Sequence, residues 1–91
     1  MQYTISIIIS GKVQGVFFRQ STREKALELG INGRVSNLPD GTVYIIATGT
    51  RPQLDALTAW CKQGPSRAKV TSAAVKELPL QLFDHFTIQR I

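Results

Sequence analysis

Near the start of the chain Tyr3, Ile5, Ile7 and Ile9 alternate with Thr4, Ser6 and Ser10, the two-residue period of a half-buried strand. Ile8 interrupts the alternation and implies that the second face of this strand is not fully wet. Gly11 and Gly15 then punctuate a loop. From about Phe18 the period lengthens, and Phe18, Thr22, Ala26 and Leu29 fall on one face of a helix that Gly30 can close in a left-handed turn. Residues 31–37 and 42–48 are rich in β-branched side chains, and Pro39-Asp40-Gly41 between them marks a hairpin. Thr50 followed by Gln53 is a capping-box pattern, with Pro52 in the tolerant first turn of a second helix. Leu54, Leu57, Thr58 and Cys61 line that helix and Gly64-Pro65 stops it. Strand-like segments follow near 67–77 and 83–90.

Strand, helix, hairpin, helix and strand, with a further short strand at one end, bury most apolar area when two helices cover one face of a sheet. The expected fold is therefore a ferredoxin-like α/β (α+β) sandwich, an antiparallel sheet of four to five strands with both helices on one face. With no repeat, low-complexity segment or linker, residues 1–91 are expected to form one domain.

Composition narrows the function classes. Eleven Lys and Arg against six Asp and Glu give a net charge of +5, which favours anionic ligands. The basic residues are scattered rather than clustered, which argues against nucleic acid. Cys61 is the only cysteine and His85 the only histidine, so neither a disulfide within the chain nor a cysteine- or histidine-rich metal centre can form. The six carboxylates make no ligand cluster in sequence, and neither metal nor cofactor is expected. The N-terminal segment reads as a strand rather than a leader, and no run approaches the ~20 apolar residues of a membrane span. A cytoplasmic monomer without a membrane partner is expected.

The most informative stretch is GKVQGVFFR, residues 11–19. It joins the first strand to the first helix, so backbone N–H groups can converge beside a helix N-terminus, a favourable place for an anion and for phosphate above all. Gly11 and Gly15 allow a concave loop, and Arg19 offers a planar fork of donors for two phosphate oxygens. The loop is neither a Walker sequence nor a dinucleotide fingerprint. Two glycines and an arginine are also compatible with an ordinary connection carrying a solvated arginine.

The chain resembles the acylphosphatase family in two separated motifs. Gln14, Gly15, Val16, Phe18 and Arg19 match the first, and Gly33, Val35, Asn37, Asp40, Gly41 and Val43 match the second. Trp60, Gly64-Pro65, Ala68, Val70 and the ending with Phe83, Phe86 and Ile88 extend the likeness over nearly the whole chain. Arg34 stands where a tryptophan is common in that family, and Tyr44 where an acidic residue often stands. The resemblance implies a hydrolase that converts a small-molecule acyl phosphate to a carboxylate and inorganic phosphate. It places the phosphate-binding arginine on Arg19 and the residue that positions the attacking water on Asn37. Gln14, Gly15, Val16, Phe17 and Phe18 would supply the closest donors of the phosphate-binding loop.

The chemistry asks for little else. A carboxylate is a good leaving group, and phosphoryl transfer depends mainly on positioning and on neutralising charge at the equatorial oxygens. Asp40 reads as turn chemistry, Cys61 as a small buried hydrophobe and His85 as a non-catalytic residue. Lys12, inside the loop, is a candidate for attracting substrate. A non-enzymatic anion-binding or regulatory module on the same fold would keep Arg19 and the glycines but would not need Asn37. An RNA-binding sheet of the same topology would need aromatics on its central strands, whereas Phe17 and Phe18 fall in the loop and at the helix start.

Overall fold

The computed structural model describes residues 1–90. Five strands and two helices follow one another as β1 (Tyr3–Lys12), α1 (Phe18–Leu29), β2 (Asn32–Asn37), β3 (Val43–Gly49), α2 (Arg51–Gln63), β4 (Lys69–Leu78) and β5 (Phe86–Gln89). They form a sheet in the order β4-β1-β3-β2-β5, a ferredoxin-like α+β architecture. Among the described residues no helix is long and apolar enough to cross a membrane.

The alternation in β1 sets the inner face. Ile5, Ile7 and Ile9 lie opposite Ala47, Ile45 and Val43 of β3, and Val35 of β2 lies opposite Ile45. These side chains are buried against Phe18, Thr22 and Ala26 of α1 and Leu54, Leu57 and Cys61 of α2. Each large aliphatic or aromatic side chain so enclosed contributes about 1.5–3 kcal/mol. Phe18 also meets Trp60 of α2 in a tilted pair, ring centroids 5.6 Å apart. The second helix starts as its sequence dictates. The Thr50 side chain accepts from the Gln53 N–H, and the Gln53 side chain accepts from the Thr50 N–H at 2.8 Å.

The outer face carries no helix, yet Thr4, Ser6, Ile46 and Thr48 on it are buried. Residues 79–85, between β4 and β5, cross this face as a strap. Thr48 donates its hydroxyl to the Gln81 carbonyl at 2.6 Å, the Thr4 hydroxyl lies 2.6 Å from that of Thr48, and the Gln81 N–H donates to Thr4 Oγ1 at 2.9 Å. Asn32 donates to the Phe83 carbonyl at 3.0 Å, and the Arg34 guanidinium lies 5.7 Å from the centre of the Phe83 ring. Ile8, which broke the sequence pattern, is itself 38% exposed; the strap covers its polar neighbours instead.

One feature differs from the antiparallel sheet expected. β5 pairs with β2 in parallel, Gly33 opposite Phe86 and Val35 opposite Ile88. The strap explains it. Leu78 at the end of β4 pairs with Thr4, Thr4 pairs with Thr48, and Thr48 pairs with Asn32 at the start of β2. A chain that crosses directly from β4 reaches the far edge beside the start of β2 and must then run alongside it. In consequence β1, β2 and β5 all end at the same end of the sheet, opposite the strap.

Candidate active site

The residues joining β1 to α1 lie at that common end. Gly11 and Lys12 remain part of β1, paired with Val70 and Lys69 across a register shift at Ser10/Gly11. Gly11 has φ 123°, and a Cβ there would meet the Lys69 carbonyl oxygen, so only glycine lets the bulged strand approach β4 this closely. The loop proper is therefore shorter than the sequence suggested and starts at Val13, whose buried side chain anchors it.

Gln14 fixes the loop to its neighbour. Its side-chain amide donates to the Leu38 carbonyl at 2.8 Å and to the Thr42 carbonyl at 2.9 Å, tying the loop to the β2–β3 hairpin. That hairpin is closed by Leu38 N–H to the Thr42 carbonyl and by Asp40, whose carboxylate accepts from the Thr42 hydroxyl and N–H. The hydroxyl bond, followed by the backbone bond, holds the Asp40 carboxyl below its ordinary range.

Gly15 (φ 72°) and Phe17 (φ 63°, ψ 24°) both adopt the left-handed region. Glycine does so freely, whereas a bulky side chain costs ~1–2 kcal/mol there. Val16 between them is buried in the core. Phe17 directly precedes α1, and no side chain caps that helix. Its first backbone bond runs from Ser21 N–H to the Phe17 carbonyl at 3.0 Å, leaving the first-turn donors before Ser21 without backbone acceptors among the described residues. Those donors and the helix dipole make the N-terminus of α1 attractive to an anion.

A cavity of about 350 Å³ opens beside this terminus. Of the residues the sequence singled out, it brings together Gly15, Phe17, Phe18, Arg19 and Asn37. The Gln14 and Val16 side chains are not in its wall; one clamps the loop and the other packs beneath it. Val13, within the loop singled out from sequence, also lines the cavity, as do Gln20, Ile88 and Arg90, which were not anticipated as site residues. Ile88 and Arg90 arrive because β5 is parallel to β2.

Asn37 ends β2 opposite Val43, on the inner face. Its Oδ1 is buried and has no hydrogen-bond partner among the described residues, so the amide is not committed to holding the hairpin together. Arg19 takes part in neither of the ion pairs among the described residues, Lys25–Glu28 and Arg51–Glu77. An amide and a guanidinium that pair with no other side chain among the described residues thus share one wall with a helix N-terminus.

The remaining candidates lie elsewhere. Cys61 is in the core, where burial pushes its thiol up to about 12 and removes the thiolate a nucleophile needs. His85 precedes β5 at the strap end, its carbonyl accepting from Gly33 N–H. Lys12 is exposed on β1 outside the cavity wall. Arg34 and Tyr44, the two departures from the family pattern, share the outer face with Ile46 and Ile8 and take no part in the cavity. Among the described residues no group of three His, Cys, Asp or Glu could hold a metal ion.

Comparison with known proteins gives the family and the fold. The acylphosphatase family model matches residues 5–88. A curated acylphosphatase from Marinobacter nauticus is 56% identical over 73 residues, covering 80% of this chain and 79% of its own. The structure of an acylphosphatase from Coxiella burnetii superposes with a TM-score of 0.94 at 40% identity, over 97% of this chain and 93% of that one. An acylphosphatase from Bacillus subtilis gives 0.93 at 34% identity, over 99% and 100%.

Proposed function

Because the chain belongs to the acylphosphatase family, enzymes that hydrolyse acyl phosphates to a carboxylate and inorganic phosphate, we propose a division of labour among its cavity residues. The phosphoryl group sits at the N-terminus of α1, its oxygens facing the N–H groups of the Gly15–Phe18 segment and the Arg19 guanidinium. The Asn37 side-chain amide holds the attacking water by hydrogen bonding and directs it at phosphorus. The new bond joins the water oxygen to phosphorus, and the bond from phosphorus to the acyl oxygen breaks. The carboxylate leaves with that electron pair, and the water's proton passes to a phosphate oxygen.

The observation that carries this assignment is Asn37, which lines an anion-attracting cavity and whose amide oxygen bonds no group among the described residues. A structural asparagine in a strand would have its acceptor satisfied. Gln14 enters in a supporting role, through the clamp that holds the loop against the hairpin bearing Asn37. Residues 1–91 act in this reading as one catalytic domain, a cytoplasmic monomer. Its ligands are small phosphorylated molecules rather than nucleic acid, since the basic residues are dispersed along the chain.

Release of phosphate from benzoyl phosphate tests the proposal directly. Turnover should be the same in excess chelator as without it, because the neutralising groups are backbone donors and Arg19. Inorganic phosphate should inhibit competitively, with an inhibition constant in or below the millimolar range typical of small anions. Loss of turnover to chelator with recovery on adding magnesium would replace this mechanism by a metal-assisted one. Absent or uncompetitive inhibition would displace phosphate from the loop.

A further inference from the structure

Phe17 stands apart from its neighbours. Val16 and Phe18 on either side are buried, whereas Phe17 is 66% exposed, and its left-handed backbone (φ 63°) turns the ring to the rim of the cavity. Glycine or asparagine would hold this conformation with less strain, and the Phe17 ring contributes nothing to the buried core. The cavity of about 350 Å³ is larger than one phosphate group, so part of it remains for the rest of the substrate. Arg19, Asn37 and the helix terminus form the polar part of the wall, and Phe17, Val13 and Ile88 supply an apolar part.

We propose that Phe17 is a specificity residue, a platform on which the acyl group of the substrate rests, giving the enzyme a preference for acyl phosphates with aromatic or bulky apolar acyl groups over small ones. This rests on the placement of phosphate at the α1 terminus argued above. The acyl group lies beyond the breaking bond, and its contact with the ring is the same before and during phosphoryl transfer. Such uniform binding alters KM and leaves kcat alone. An offset or edge-to-face contact between two rings has a strength that corresponds to about three- to tenfold in affinity.

The test compares benzoyl phosphate with acetyl phosphate for the wild type, Phe17→Asn and Phe17→Tyr. Asparagine tolerates the left-handed conformation and removes the ring; tyrosine keeps the ring. Phe17→Asn should raise KM for benzoyl phosphate about three- to tenfold more than KM for acetyl phosphate, since any change in the loop's grip on the phosphoryl group falls on both substrates alike. Phe17→Tyr should retain the wild-type ratio of the two substrates. Equal losses on both substrates, or an unchanged ratio in Phe17→Asn, would overturn the proposal. Failure of the underlying phosphate placement has a different signature, in which inorganic phosphate does not compete in the wild type.

Discussion

Asn37→Ala is expected to lower kcat by about 100-fold or more, on the scale of losing a preorganised transition-state partner, while inorganic phosphate binds with nearly unchanged affinity. In the proposed mechanism the ground-state anion is held by Arg19 and the α1 terminus, whereas the water that Asn37 orients matters at the moment of attack. The structure adds an expectation about stability. Asn37 Oδ1 bonds no other group among the described residues, so its removal breaks no hydrogen bond within the fold and changes stability by about 1 kcal/mol or less. The variant should therefore unfold at nearly the same denaturant midpoint as the wild type. Steady-state kinetics, phosphate titration by calorimetry and a urea melt make the complete measurement. Near-normal turnover in a folded variant would remove Asn37 from the mechanism. Loss of phosphate affinity in proportion to rate would make it a binding residue. A clear drop in stability would mean that Oδ1 has a structural partner in the folded protein.

Arg19→Lys is the second large effect expected, again a loss of about 100-fold or more in kcat/KM. Lysine keeps the positive charge but replaces a rigid planar fork by a single mobile ammonium, so two phosphate oxygens can no longer be gripped together. Arg19 is only partly exposed in the cavity wall and is absent from the ion pairs of the described residues, so no structural salt bridge is lost with it. Folding should be unaffected. Unlike Asn37→Ala, this change should also weaken inhibition by inorganic phosphate, because the fork meets the anion in the ground state. A lysine variant retaining most of its activity would reduce the role of Arg19 to general electrostatics.

Much of the architecture was legible along the chain because local rules and global packing agree. The Tyr3–Ile9 alternation, the Phe18–Thr22–Ala26 stripe and the Thr50/Gln53 box each reappear as a strand face, a buried helix face and a closed cap. The parallel pairing of β5 could not be read in the same way. Four residues, Phe86–Gln89, carry no signal of direction, which follows from where the strap departs β4 and which edge it reaches. That one unknown concealed Ile88 and Arg90 as cavity residues. Gly11 was misplaced for a related reason: a glycine in sequence does not distinguish a loop from a bulge that must approach Lys69, and only the pairing with β4 decides. The two residues given catalytic roles, Arg19 and Asn37, were named through the family motifs, since neither a strand-end amide nor a lone arginine marks itself. The apolar rim at Phe17 is visible only once its backbone angles are known.

The common end of β1, β2 and β5 has a practical consequence for handling the enzyme. Arg90 is in the cavity wall, so an affinity tag, fusion partner or surface tether joined directly to Arg90 would start beside the cavity. Met1 precedes Tyr3, which pairs with Gly49 at the opposite, strap end of the sheet. Immobilisation or fusion through the N-terminus would leave the mouth open to solvent, and N-terminal tagging is the arrangement in which the kinetics of the native chain should be preserved.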